Sequence, residues 1–333
     1  VPRQGSLTKC NFKDMIGKEK ERLLAEVATL YYYDGLTQEK IAQKLGLSRS
    51  TVSRMLNEAR RRGIVEIHIN YLWETDQSLQ NSLTERFGLG TARVLRVETE
   101  DYKRILHGLG ALAARYIEGI LRENSVLAIG WGTAVHQVVE AFRPMRIPGI
   151  QVVQMIGAVG SGDPFIDGPE LARILAQKLG GKWHYLHAPL IVEEEALQKA
   201  LIAEPRLKKT LELATKADVA IVGIGSVEPS ISSLIRAGYI TLEELAAIRA
   251  RGAVGDVCAR HFDIHGRILD IDINRRIIGI TPEQLKKIRC VVGVAGGKAK
   301  APAILGALRG GFIDVLVTDC ETAKEVLRLD KET

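Results

Sequence analysis

The sequence predicts an α/β chain in two parts: a short helical module, then a larger domain built on a parallel sheet. Two observations carry this reading. Over residues 36–63, LTQEKIAQKLGLSRSTVSRMLNEARRRG, apolar residues recur at helical spacing on either side of a single glycine. From Gly90 onward, unbroken Val/Ile-rich runs alternate with helical patterns, as strands do when crossover helices cover both faces of their sheet.

The 333 residues leave room for two domains, the larger with a substantial core. Hydrophobic residues make up 46% and charged residues 26%, which excludes a disordered chain. No apolar run is long enough to span a bilayer and no signal-peptide pattern is present. A cytoplasmic protein without membrane contact is therefore expected. Cys10, Cys258, Cys290 and Cys320 are scattered without metal-like pairing and read as reduced thiols. The opening VPRQGS resembles the remnant of a protease site, so residues 1–17 are set aside as a tail.

In chain order, Lys18 to Tyr33 forms a first helix with Leu23, Leu24, Val27 and Leu30 on one side. Two short helices follow across a sharp turn, for which Gly46 supplies an unhindered backbone. Ser48 is a good N-cap for the second of them. Val52, Met55, Leu56 and Ala59 then face inward, leaving Arg49, Ser50, Ser53, Arg54 and Asn57 on the opposite side. Those side chains suit phosphates and base edges in a major groove. Charge agrees: residues 38–63 carry seven cations against Glu39 and Glu58, +5 of the chain's +6, a local electrostatic footprint for DNA. Such modules act as dimers, so a palindromic operator is expected. The segment IVEIHIN (64–70) alternates like a strand or wing. A DNA-binding domain over 18–72 and a second domain over 73–330 follow. Trp73 to Phe87 reads as a polar helical linker and a candidate protomer contact.

Strands are expected at TARVLRV, SVLAIG, IQVVQMIG, DVAIVGIG, CVVGVAGG and DVLVTD. Helices are expected at Arg104–Leu121, Pro169–Leu179, Arg206–Lys216 and Lys300–Leu308. Small residues gather where strands end: GWGT (130–133), GAVGSGDP (157–164), GIGS (223–226) and AGGKAK (295–300). Ligand crevices of open α/β sheets lie at those carboxyl ends. Gly132-Thr133 opens a helix directly after a strand and offers N–H groups, a dipole end and a hydroxyl to an anion. Gly296 and Gly297 allow close backbone approach beside Lys298 or Lys300. Neither GxxxxGK[ST] nor a helix-opening GxGxxG occurs, which disfavours nucleotide and NAD binding; no cofactor is expected. His261, Asp263 and His265 alternate as metal ligands on a strand would, but a polar strand edge or cleft-lining loop is the plainer reading. Glu193, Glu194 and Glu195 suit a helix start. Asp218, Asp314 and Asp319 flank strands as turn caps would, and Ser226 lacks the GxSxG elbow. No catalytic and no metal-binding residue is assigned.

Several of these motifs resemble the SorC group of bacterial sugar-binding transcriptional regulators. The resemblance covers almost the whole chain and rests on SRSTVSRMLNEARRRGIVEIHI, GWGT, GDVCARHFDIHG and VAGGKAKAPAILGALRGGFIDVLVTD. It implies a winged or homeodomain-like helix-turn-helix. It also implies a Rossmann-like effector domain related to sugar-phosphate isomerases and glucosamine-phosphate deaminases, usually tetrameric and responsive to phosphorylated sugars. Carried over by position, Thr133 would hold phosphate, Asp256 would accept sugar hydroxyls, Phe262 would pack near the sugar and Lys300 would pair with phosphate. His261 stands where the group often has an aromatic residue. Gly132 and Gly297 complete the expected effector site. The expected function is a DNA-binding regulator of carbohydrate metabolism, a dimer or tetramer controlled by a phosphorylated sugar or polyol. The alternative is an isomerase or deaminase carrying an added DNA-binding module. If the sheet is parallel, the loops bearing Thr133, Asp256 and Lys300 should converge on its carboxyl side.

Overall fold

In a computed structural model, which describes residues 17–65, 73–99, 101–160 and 167–333, the chain divides into two units, Val1–Leu72 and Trp73–Thr333. The expected wing falls, beyond Val65, outside the described residues, as does the end of the GAVGSGDP loop.

The first unit contains α1 (Lys18–Tyr32), α2 (Gln38–Leu45) and α3 (Arg49–Arg61). Leu24, Val27 and Leu30 of α1 meet Ile41 of α2 and Val52, Met55 and Leu56 of α3 in one apolar cluster. Both helices of the helix-turn-helix are capped by hydroxyls: Lys40 N–H donates to Thr37 Oγ1 (3.3 Å) and Thr51 N–H to Ser48 Oγ (3.1 Å). Gly46 ends α2 in the left-handed region (φ 65°, ψ 30°), which sets the turn into α3.

The second unit begins with α4 (Gln77–Phe87), β1 (Thr91–Leu95), α5 (Tyr102–Ile120), β2 (Val126–Ile129), α6 (Thr133–Ala141) and β3 (Gln151–Gln154). It continues through α7 (Gly168–Leu179), β4 (Lys182–His184), α8 (Glu195–Ala203), α9 (Pro205–Thr215), β5 (Val219–Gly223) and β6 (Gly225–Ser226). Next come α10 (Ser233–Arg236), α11 (Leu242–Ala250), β7 (Ala253–Val257), β8 (Arg260–Asp263), α12 (Asp272–Arg275) and α13 (Pro282–Leu285). The chain closes with β9 (Val291–Val294), a 3-10 turn (Lys298–Lys300), α14 (Ala301–Arg309), β10 (Val315–Asp319) and α15 (Cys320–Glu332).

Seven strands form one parallel sheet in the order β1-β10-β9-β5-β2-β3-β4. Buried apolar clusters pack on it, as the unbroken Val/Ile runs require. From β2 the chain moves outward to β3 and β4; from its neighbour β5 it moves the other way, to β9 and β10. That divergence opens a crevice at the carboxyl ends of β2 and β5. The second sheet, antiparallel β6-β7-β8, was not expected.

Three aspartates flanking strands join backbone segments. Asp218 accepts the N–H of Val126 and Asp314 that of Val291, each at 2.8 Å. Asp319 caps α15 through Thr322 N–H (3.0 Å) and also accepts the N–H of Gly297 (2.8 Å). The linker reading of Trp73–Phe87 needs correction. Leu83 of α4 is fully buried, Gln80 Oε1 accepts the N–H of Val94 (3.2 Å), and Arg86 pairs with Asp330 of α15. Leu83 lies three residues after Gln80, so one face of a mostly polar helix is committed to β1.

Candidate functional site

Each unit presents its own polar surface. In the first, Arg49, Ser50, Arg54 and Asn57 of α3 are exposed and Ser53 is half-buried, opposite the apolar face of the helix. Arg54 folds along its own helix, Nε donating to Ser50 O and Nη2 to Thr51 Oγ1, both at 3.3 Å. The hydroxyls of Ser48 and Ser50 lie 2.9 Å apart. Arg49 reaches across to α2, with Nε 2.7 Å from Glu39 Oε1. At the far end, Arg60 Nε donates to Tyr32 OH (2.8 Å) and ties α3 to α1. Guanidinium, hydroxyl and amide groups along one exposed helix face can meet both phosphates and base edges.

In the second unit a cleft opens at the carboxyl ends of β2 and β5. One wall is the start of α6. Gly132 sits at φ 104°, ψ 171°, a region essentially closed to side-chain-bearing residues. Among the described residues no side chain caps α6, and its first intrahelical bond is His136 N–H to Gly132 O (2.9 Å). The N–H groups of that first turn thus point, with the positive dipole end, at whatever enters the cleft beside Thr133. Lys300 comes in from the 3-10 turn, its Nζ donating to the carbonyl of Ile224 (2.8 Å). Burial pushes its amine down to about 8; the nearby Asp256 charge opposes that shift and Arg236 adds to it. Lys298, by contrast, is largely exposed and faces Glu325 of α15 at 3.7 Å. Only one of the two candidate lysines enters the cleft.

The opposite wall comes from the small sheet. Asp256 on β7 is buried, which pushes its carboxyl above the usual range, while His261, Lys300 and the Ala259 N–H pull it down. Its carboxylate lies over Gly225 so closely that a Cβ there would stand 1.9 Å from Oδ2. The GIGS glycine therefore makes room for the acid. The β7–β8 hairpin turns through Cys258 and Ala259, both left-handed (φ 50° and 62°) and both lining the cleft. A two-residue hairpin of this hand usually takes Asn or Gly, so the turn is strained where it meets the cleft.

Of the expected effector residues, the structure brings Gly132, Thr133, Asp256 and Lys300 together. Phe262 and Gly297 are corrections. Asp256 pairs with His261 across β7–β8, and Gly255 with Phe262. Strand alternation therefore puts Phe262 on the other face, fully buried with its ring 5.3 Å from that of Phe312 and close under Gly306. Gly297 stands off the cleft with its N–H engaged by Asp319. Among the metal candidates, His261 is buried and held by Asn274, whose Oδ1 accepts the His261 N–H (2.8 Å). Asp263 Oδ1 accepts the N–H groups of His265 and Arg267 (2.9 Å each). Their polar atoms thus stabilise a hairpin and a turn.

Comparison with known proteins places both units. The family profile described as "Putative sugar-binding domain" matches residues 73–328, and that of Sigma-70, region 4 matches residues 24–62. Over 310 residues the chain is 31% identical to the deoxyribonucleoside regulator of Bacillus subtilis, covering 93% of this chain and 98% of that one. It is 36% identical to the transcriptional regulator LsrR of Escherichia coli, covering 94% and 96%. The crystal structure of the full-length sorbitol operon regulator SorC from Klebsiella pneumoniae superposes with a TM-score of 0.69 at 30% identity, covering 93% of this chain and all of that one. This chain belongs to the SorC family of transcriptional regulators. Its SorC-family architecture is a helix-turn-helix DNA-binding region followed by a sugar-binding domain.

Sequence reasoning missed part of this SorC-family cleft. Arg236 and Ser233 line it from α10, a helix of four residues with too little periodicity to notice. Trp131 lines it from inside GWGT, and the Cys258–Ala259 turn carries no glycine to announce it.

Proposed function

We propose that this SorC-family protein is a cytoplasmic regulator, not an enzyme, whose hold on a palindromic operator is set by a phosphorylated sugar or polyol in the cleft. The division of charge inside the cleft carries the reading. The open start of α6, Thr133, Lys300 and Arg236 offer N–H groups and positive charge, while Asp256 offers a carboxylate. Phosphate suits the first set; a carboxylate repels phosphate and accepts hydroxyls. Two of its relatives are a deoxyribonucleoside regulator and a sorbitol operon regulator, which accords with a sugar-derived effector. In the DNA-binding domain, 18–72, Arg49, Ser50, Ser53, Arg54 and Asn57 would read the operator, in half-sites about one helical turn or a multiple apart. The domain over 73–330 would bind the effector and assemble a dimer or tetramer, with α4 a candidate contact. The effector acts only as far as it binds one arrangement of that assembly better than another.

Thermal unfolding against a panel of sugar phosphates and their unphosphorylated parents tests this. A phosphorylated compound should raise the midpoint, because it binds the folded state alone, and should change operator retention. A panel in which no phosphorylated compound does either would defeat the reading. One observation favours the enzymatic alternative: the Asp256 carboxyl is pushed up and the Lys300 amine down, as in proton-transfer pairs. Interconversion of aldose and ketose phosphates, or ammonia release from an amino-sugar phosphate, would establish that alternative; neither is expected.

A further inference from the structure

One ion pair in the first unit crosses between the two helices of the helix-turn-helix. Glu39 is the second residue of α2 and Arg49 the first of α3, and the pair closes at 2.7 Å through Arg49 Nε. Among the described residues, the other arginine of the reading face, Arg54, bonds within α3, to Ser50 and Thr51. Both members of the Glu39–Arg49 pair remain open to solvent, with side chains 56% and 70% exposed. Such a solvent-exposed pair contributes little to stability, and the apolar cluster already joins α2 to α3. Its consequence lies elsewhere. A free arginine side chain has many rotamers, and part of that freedom is lost when it docks on a base. Held through Nε, the guanidinium has that freedom reduced beforehand and still presents its two terminal nitrogens, the fork that matches guanine O6 and N7. An acid here is otherwise unfavourable, because it repels the phosphates that the surrounding cations attract.

We propose that Glu39 is a positioning residue for Arg49, and that Arg49 so held reads one guanine in each half-site. The proposal rests on α3 being the operator-reading helix. Selection of full-length protein on random double-stranded DNA, followed by sequencing, tests it with the parent, Glu39→Gln, Arg49→Ala and the double variant. The parent should enrich a motif with one guanine per half-site whose preference falls about tenfold in Arg49→Ala. In Glu39→Gln that preference should fall about threefold, while retention of random DNA rises because a negative charge is gone. Glu39→Asp, which keeps the charge on a shorter stem, should lie between parent and Glu39→Gln. In the Arg49→Ala background, Glu39→Gln should leave the base preference unchanged. An unaltered motif in Glu39→Gln overturns the proposal and leaves operator reading intact. A preference that still shifts in the double variant overturns it too, since Glu39 would then be reading a base itself. A parent that enriches no motif overturns both the proposal and the operator reading beneath it. Unfolding midpoints of Glu39→Gln and Glu39→Asp matching the parent's exclude damage to the module.

Discussion

The two units hold their functional charges in opposite ways. On α3, Arg49 and Arg54 stand in water, Arg49 tied to Glu39 and Arg54 to Ser50 and Thr51. In the cleft, Lys300 has lost enough hydration to drop to about 8, and Asp256 is buried beside it. Charges kept in water are cheap and screened beyond about 10 Å at 0.1 M salt, so they suit a long polyanion that is approached, sampled and left. Charges withdrawn from water are costly, and a bound group of opposite charge or hydrogen-bonding capacity offsets part of that cost. The first arrangement gives reach. The second gives discrimination.

The strongest way to break this contrast is Lys300→Ala. It should weaken a phosphorylated effector by about 1.5–3 kcal/mol, roughly ten- to a hundredfold, while ligand-free operator binding stays at the parental level. Titration with the effector and with operator separately reads the two arms; equal loss in both would mean that the cleft charge is not separate in function. Gly132→Ala comes next. Nothing lies within 4 Å of the added methyl group, so the cost is purely conformational. About 1–3 kcal/mol of stability should be lost, with weaker effector binding but an unchanged guanine preference; denaturant midpoints and the selected motif check this.

Acidity sharpens the comparison further. Lys300 releases its proton near pH 8 in the folded protein, against an ordinary 10.5. Between those values the unfolded chain binds the proton and the folded one does not, so the burial penalty felt below pH 8 is relieved as pH rises and ligand-free stability gains. A phosphate needs the ammonium, so its affinity should fall above pH 8 by up to about tenfold per unit. Titration calorimetry from pH 7 to 9 with parent and Lys300→Ala checks this: the variant should lose the slope. The smallest effect belongs to the exposed surface. Ser48→Ala removes the cap of α3 and should cost about 1 kcal/mol, seen as a lower unfolding midpoint and weaker operator binding with effector affinity unchanged.

How much of this could be read from residues alone differs by element. Parallel strands announce themselves because both faces are buried, and the Val/Ile runs of β2, β5, β9 and β10 leave no alternative pattern. Thr133 stood out because it follows small residues at the end of such a strand, while the same pattern left Lys298 and Lys300 open and the family resemblance chose between them. The antiparallel sheet escaped notice for the opposite reason: AVGDV carries Gly255 and Asp256, RHFD is mostly polar, and neither alternates cleanly. With β7 and β8 unrecognised, nothing assigned faces to Asp256 and Phe262, and both were assigned to the sugar. Only the pairing of Asp256 with His261 and of Gly255 with Phe262 separates them. Arg236 was hidden because its place in the cleft depends on contacts distant in sequence, which local periodicity does not encode.

The left-handed turn at the cleft has a consequence for redox chemistry. Its Cys258 is buried, and its thiol is pushed up to about 12. At neutral pH the thiol form dominates, whereas the thiolate is the form that attacks peroxides, disulfides and alkylating agents. A sulfur atom therefore lines the proposed effector site without making that site a sensor of oxidants.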